Sequence, residues 1–266
     1  MSAGRATVRT VGEATCVALL ISLTAVPPAP ADADRCQLPS QHAGVAFDLS
    51  HLDPRWTCRL QPILGDYTTA NKVGPMRTPL PKPLYDYLLD HPVVAAALVN
   101  RLELGLHKAS VLGPDRYWGS DGEGTEGIVE LIHHDPTTRI YVVDGRHDGR
   151  FLPQVTGKAV VLMKIRPVTE PDGRVAMETI LIAYTRVDNR FLSGVLSLLR
   201  PLVGKVVTRQ LLKGFDAAHK LALIMRQDPQ RVLFEATDPP ALPPEDVALL
   251  KTALATLHNP DHPATP

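Results

Sequence analysis

Residues 155–168, VTGKAVVLMKIRPV, and residues 174–187, RVAMETILIAYTRV, decide how this chain folds. Both are rich in β-branched residues, and Pro171-Asp172-Gly173 lies between them, so they read as two long strands of an antiparallel hairpin. Val161, Met163 and Ile165 alternate with Leu162, Lys164 and Arg166. Ile180, Ile182 and Tyr184 alternate with Leu181, Ala183 and Thr185, so apolar groups stand on both faces. A ribbon apolar on two sides needs cover on each, or one side must line a hollow.

Working upstream, Ile128 to His134 and Arg139 to Asp144 flank the turn Asp135-Pro136-Thr137-Thr138. Arg116 to Ser120 follows a Gly113-Pro114 turn, and Leu106 to Leu112 is a weaker strand candidate. Before these strands, Leu84, Leu88 and Leu89 fall at helical spacing and stop at the His91-Pro92 step. A second short helix runs from Val93 to Leu104. Residues 34–83 read as an ordered but irregular arm, because Pro75, Pro79, Pro81 and Pro83 forbid continuous helix.

Downstream, Asp188 and Asn189 are positioned to cap a helix. Pro201 predicts a break, giving a short segment from Arg190 to Leu199 and a longer helix from Pro201 to about Arg226. On that helix Lys205, Arg209, Lys213 and Lys220 fall within about 80° of arc, opposite Val203, Val207, Leu211, Phe215, Ala218, Ala222 and Met225. The pattern is that of an amphipathic helix lying on a sheet. Pro239-Pro240 and Pro243-Pro244 then read as a linker before a last helix from Glu245 to Leu257 and a short tail.

The N-terminus carries Arg5 and Arg9, an apolar run from Thr15 to Val26, and Ala29-Pro30-Ala31 and Ala31-Asp32-Ala33. Residues 1–33 therefore read as a signal peptide, cleaved after Ala31 or Ala33, and the run is shorter than the ~20 residues of a spanning helix. Loss of Cys16 with the leader would leave Cys36 and Cys58 to pair, the alternative being two isolated thiols. Arg35 directly precedes Cys36, which does not suit a lipid anchor. The expectation is an exported protein, periplasmic or secreted. Equal numbers of basic and acidic residues, 28 each, argue against nucleic acid as a partner.

The paired helices of Leu84 to Leu104, the hairpins of Ile128 to Asp144 and Val155 to Val187, and the passage Tyr184-Thr185-Arg186-Val187-Asp188-Asn189-Arg190-Phe191 into the long helix resemble the START-like or Bet v 1-like superfamily, the helix-grip fold. The resemblance covers residues 84–230 and implies an α+β domain, with a curved antiparallel sheet of six to seven strands wrapped on a long C-terminal helix. It also implies a first edge strand ahead of the helix pair, which would lie within the Pro-rich arm. Relatives use the hollow between sheet and helix for lipids, sterols or polyketides. On that basis the cavity residues are expected to be Tyr117, Tyr141, Met163, Tyr184, Phe191, Leu211, Phe215 and Met225. Residues 231–266 would be an addition of linker, helix and tail.

No nucleophile elbow, His-Glu-x-x-His or Cys-x-x-Cys occurs, and no cofactor is implied. His133-His134 in one strand would point to opposite faces, which does not suit a shared metal, and Gly122-Glu123-Gly124 reads as an acidic turn. Three functions remain open. The first is an exported binding or transfer protein for a hydrophobic small molecule, above all a lipid, with the basic stripe facing an anionic membrane. The second is a cavity enzyme using Tyr or His for acid–base work, and the third is a cell-envelope interaction module.

Overall fold

The computed structural model describes residues 36–149, 152–188 and 196–258. The expected leader and Phe191 lie outside the described residues. A small hairpin, β1 (Gln41–His42) and β2 (Val45–Ala46), leads to α1 (Pro54–Gly65) and β3 (Thr69–Thr78). Two helices follow, α2 (Lys82–Asp90) and α3 (Pro92–Arg101). Six strands come next: β4 (Lys108–Gly113), β5 (Arg116–Ser120), β6 (Thr125–His134), β7 (Thr138–Gly149), β8 (Leu152–Thr169) and β9 (Val175–Val187). The described chain ends with α4 (Leu196–Gln227), α5 (Pro229–Thr237) and α6 (Pro244–His258).

Seven strands form one antiparallel sheet in the order β3-β9-β8-β7-β6-β5-β4, and α4 lies against it. This is the α+β helix-grip arrangement. Its first edge strand is β3, inside the segment expected to be irregular. Gly74-Pro75 made that strand hard to see: the register with β9 shifts between Val73 and Met76, so the pair sits in a bulge. An edge strand tolerates proline there. Gly74 has φ +105°, and a Cβ on it would meet the Thr179 carbonyl at 2.5 Å, so both conformation and space require glycine.

The rest of the arm, among the described residues, also holds regular structure. Asp53 caps α1 by accepting from the Arg55 amide at 2.8 Å, and Pro54 occupies the first helical position. Leu60, Ile63 and Leu64 form the buried stripe of α1. Cys36 and Cys58 are disulfide-bonded with Cα atoms 5.0 Å apart, which ties the start of the described chain to that helix.

One expectation around α4 is corrected. The helix runs through Pro201 without a break from Leu196. A proline this close to the N-terminus removes one early hydrogen bond, and packing against β3 carries the remaining turns. The Asp188 carboxylate accepts from the Thr156 hydroxyl at 2.9 Å, and the expected capped segment from Arg190 begins outside the described residues. The expected C-terminal linker contains a further helix, α5, capped by Asp228 accepting from the Arg231 amide at 3.0 Å.

The two-sided apolarity of β8 and β9 is answered by two cores. On one face Ile140, Val160, Leu162, Ile182 and Tyr184 pack under Phe47, Leu52, Leu60 and Ile63 of the N-terminal segment and α1. On the other, Met163, Ile165, Met177 and Leu181 meet α2, α3 and α4. The C-terminal helices belong to this second core, where Val232, Leu250 and Leu254 are buried. Two polar ties hold them. The Tyr87 hydroxyl donates to Asp246 at 2.6 Å, and Arg101 donates to the carbonyls of Glu235, Asp238 and Pro240.

Candidate functional site

Between α4 and the inner face of the sheet lies a cavity of about 700 Å³. Its walls follow from cross-strand register. One row across the sheet reads Ala109, Gly119, Gly127, Gly145, Gly157 and Val187, so four successive strands present no side chain at this level. A Cβ on Gly127 would lie 2.6 Å from the Asp144 carbonyl, and one on Gly157 would lie 2.6 Å from that of Arg186. The glycines let the strands coil tightly, and they leave the hollow unfilled.

The next rows inward carry Val129, Val143 and Ala159, then Val161 and Ala183, then Met163 and Leu181. All line the cavity, joined by Leu88 and Leu89 of α2, Val99 of α3, and Val203, Val207, Leu211, Phe215 and Leu221 of α4. This body is apolar.

Polar groups gather at the end beyond the glycine row. Thr125 and His147 face each other across β6 and β7, with the threonine hydroxyl 2.9 Å from His147 Nδ1. Asp121 begins the β5–β6 turn, and its Oδ1 accepts from the amides of Glu123 at 2.8 Å and Thr125 at 2.9 Å. Its Oδ2 is enclosed and has no hydrogen-bond partner among the described residues. His107 and, from α4, Gln210 line the same cavity. The neighbouring row of Ser120, Glu126, Arg146 and Thr156 also borders the cavity, although strand alternation turns its side chains toward the other face, where Arg146 and Glu126 form an ion pair.

At the opposite end the polar groups satisfy one another. Arg139 is buried, forms an ion pair with Asp90, and lies 3.9 Å from Asp86. The Tyr85 and Thr179 hydroxyls are 2.8 Å apart. Burial pushes the Tyr85 phenol up, and it pushes Tyr141 up to about 12 against the opposing pull of Arg139. Both phenols are neutral at physiological pH.

The sequence-expected cavity residues divide sharply. Met163, Leu211 and Phe215 line the cavity. Tyr141 and Met225 pack in the core beyond it, and the Tyr117 hydroxyl reaches the Asp90 carbonyl at 3.4 Å. Tyr184 is a correction. Strand alternation sends it to the opposite face from Ala183 and Thr185, where its hydroxyl lies 3.1 Å from His42 Nδ1. The basic stripe lies on the outer flank of α4: Lys213 pairs with Glu123, Lys220 pairs with Asp216 at 2.7 Å, and Lys205 and Arg209 border an open groove with Asn71 and Thr208. The polar end was missed, because only strand register brings Asp121, Thr125 and His147 together.

No family model matches the chain, and no curated protein matches it in sequence. Among solved structures it is similar to a conserved protein from Geobacillus kaustophilus, at 12% identity and TM-score 0.41, covering 58% of this chain and 93% of that one. It is also similar to Ara h 8.0201, at 14% identity and TM-score 0.32, covering 58% and 96% respectively. The helix-grip assignment rests on the strand order itself, seven antiparallel strands with a long C-terminal helix against their inner face.

Proposed function

We propose that this protein binds a hydrophobic small molecule, above all a lipid, in the hollow between the sheet and α4, and carries it outside the cytoplasm. The observation supporting this is the cavity of about 700 Å³, within the size range of small-molecule sites and walled by Val129, Val143, Val161, Met163, Leu181 and Phe215. The Cys36–Cys58 bond supports an oxidising compartment. Among the described residues no helix is long and apolar enough to cross a membrane. Mass spectrometry of the native protein under non-denaturing conditions, before and after delipidation, tests the reading. A stoichiometric apolar ligand is expected, and failure to bind any apolar probe after delipidation overturns it.

Delivery to an anionic bilayer is a finer part of the same reading. Lys205 and Arg209 meet no carboxylate among the described residues, and Leu202 and Leu212 are exposed on the same helix. Each cation near an anionic surface contributes about 1 kcal/mol. Co-sedimentation with phosphatidylglycerol vesicles, weakened by Lys205→Glu and Arg209→Glu, is the expected result.

A second reading, acid–base catalysis in the cavity, is favoured by the Thr125–His147 hydrogen bond of 2.9 Å at its polar end. Chemical conversion of a captured ligand, lost in His147→Gln with binding retained, would select it. The interaction-module reading is less supported, because Leu250 and Leu254 of α6 face the protein core.

A further inference from the structure

The cavity is closed at one end and open at the other. At the inner end its lining residues, Leu80, Met163 and Leu181 among them, are buried. Beyond the glycine row the lining residues Lys108, Arg146 and Lys158 are exposed, so the hollow meets solvent there. The start of β4, the β5–β6 turn and the middle of α4 all reach this mouth. Leu106 stands on its outer lip. It is 70% exposed, more than any other large apolar residue described, and it leans on the turn: a Cβ added to Gly122 would lie 2.9 Å from that of Leu106. The next turn residue, Glu123, is neutralised by its ion pair with Lys213 of α4. Leu212, beside that lysine, is also exposed, and Arg209 and Lys205 follow on the same flank. Lys108, Lys205 and Arg209 meet no carboxylate among the described residues. A single exposed leucine is ordinary. Two of them on a strip that borders the opening of an apolar hollow, flanked by unpaired cations, match a surface that is anionic above and apolar beneath.

We propose that the mouth itself docks on an anionic bilayer, with Leu106 inserted below the headgroups and Lys108, Arg209 and Lys205 against them. An apolar ligand then passes between membrane and cavity without crossing water. This rests on the cavity-binding reading above, and it fixes which end of the molecule faces the membrane. The two parts of the strip do different things. Cations hold the protein at the charged surface, and the leucine on the lip brings the opening into the apolar layer.

The test follows Leu106 directly in the full chain. In Leu106→Trp, vesicles of brominated phosphatidylglycerol should quench indole emission beyond the background that Trp56 and Trp118 set in the parent. Leu106→Asp should weaken binding to phosphatidylglycerol vesicles about tenfold, the effect of withdrawing one leucine from an apolar layer. Leu106 is exposed and outside the cavity lining, so both variants should fold and bind N-phenyl-1-naphthylamine in vesicle-free solution as the parent does. Sedimentation with the vesicles but no added quenching in Leu106→Trp overturns the docked mouth and leaves attachment through the flank of α4. Failure of the parent to sediment overturns both forms of docking while cavity binding stands. Absence of fluorophore binding by the parent without vesicles overturns the cavity reading itself, and the docked mouth with it.

Discussion

Glu123, at the tip of the β5–β6 turn, forms an ion pair with Lys213 near the middle of α4. Their neighbours Asp121 and Thr125 on one side, and Leu211 and Gly214 on the other, line the cavity. The pair therefore joins the curled end of the sheet to the helix beside the polar end of the hollow. Both side chains are partly exposed, so the contribution to global stability is small, about 0–1 kcal/mol. Lys213→Ala should leave the melting temperature almost unchanged and speed probe release by up to about fivefold, the rate equivalent of that energy. Stopped-flow dissociation of a neutral apolar fluorophore, N-phenyl-1-naphthylamine, measures it, and an unchanged rate would show that this end does not control exit.

The hollow should be blocked from within. Ala159 lines it between the glycine row and Val161. Ala159→Phe is expected to reduce probe binding at least tenfold, with the melting temperature shifted by no more than about 4 °C, since the new ring enters empty space instead of a filled core. Retained binding would place the probe elsewhere.

His42 is buried against Phe47 and Tyr184, and burial holds its pKa below the ordinary imidazole value. Because the folded form disfavours the proton and the unfolded chain accepts it, stability is greatest above about pH 6.5 and declines as acid titrates the unfolded imidazole. Urea melts at pH 7.5 and pH 5 should show a smaller acid loss in His42→Leu than in the parent. An identical loss in both would assign the acid sensitivity to other groups.

Removing the Tyr87 hydroxyl leaves an Asp246 oxygen short of its 2.6 Å donor in a buried site. Tyr87→Phe should cost about 1–3 kcal/mol and raise hydrogen exchange selectively in α6. Uniform exchange would mean that α6 is held by Leu250 and Leu254 alone.

The disulfide fastens the cover of the outer face, while the cavity lies on the inner one. Reduction should lower stability by about 3 kcal/mol for a loop of this length, yet leave probe affinity of the folded population intact. Loss of affinity in step with reduction would couple the two faces.

Much of the fold was legible because the long strands declare themselves: Val155 to Val187 is a hairpin by composition and alternation, and the paired helices end at a proline step. Two missed elements, β3 and α1, contain prolines that read as breakers, and another proline hid the continuity of α4. Pro75 is absorbed by a bulge at a sheet edge, Pro54 and Pro62 lie within α1, and Pro201 sits inside α4. Asp53-Pro54 and Asp228-Pro229 did carry the capping signal. The site was less legible. Met163, Leu211 and Phe215 follow from periodicity, but the side taken by Tyr184 depends on which face the α1 segment covers, and Asp121, Thr125 and His147 meet only through register.

Four glycines abreast make one wall of the cavity a plain peptide surface, with its amides already committed to neighbouring strands. Such a wall discriminates by shape and forgives chemistry, so a range of chain lengths and branch points should be admitted so long as they follow its curve. Selectivity, where this protein has it, would then be concentrated at the rim, and small changes around the β5–β6 turn could retune what is carried without disturbing how the molecule folds.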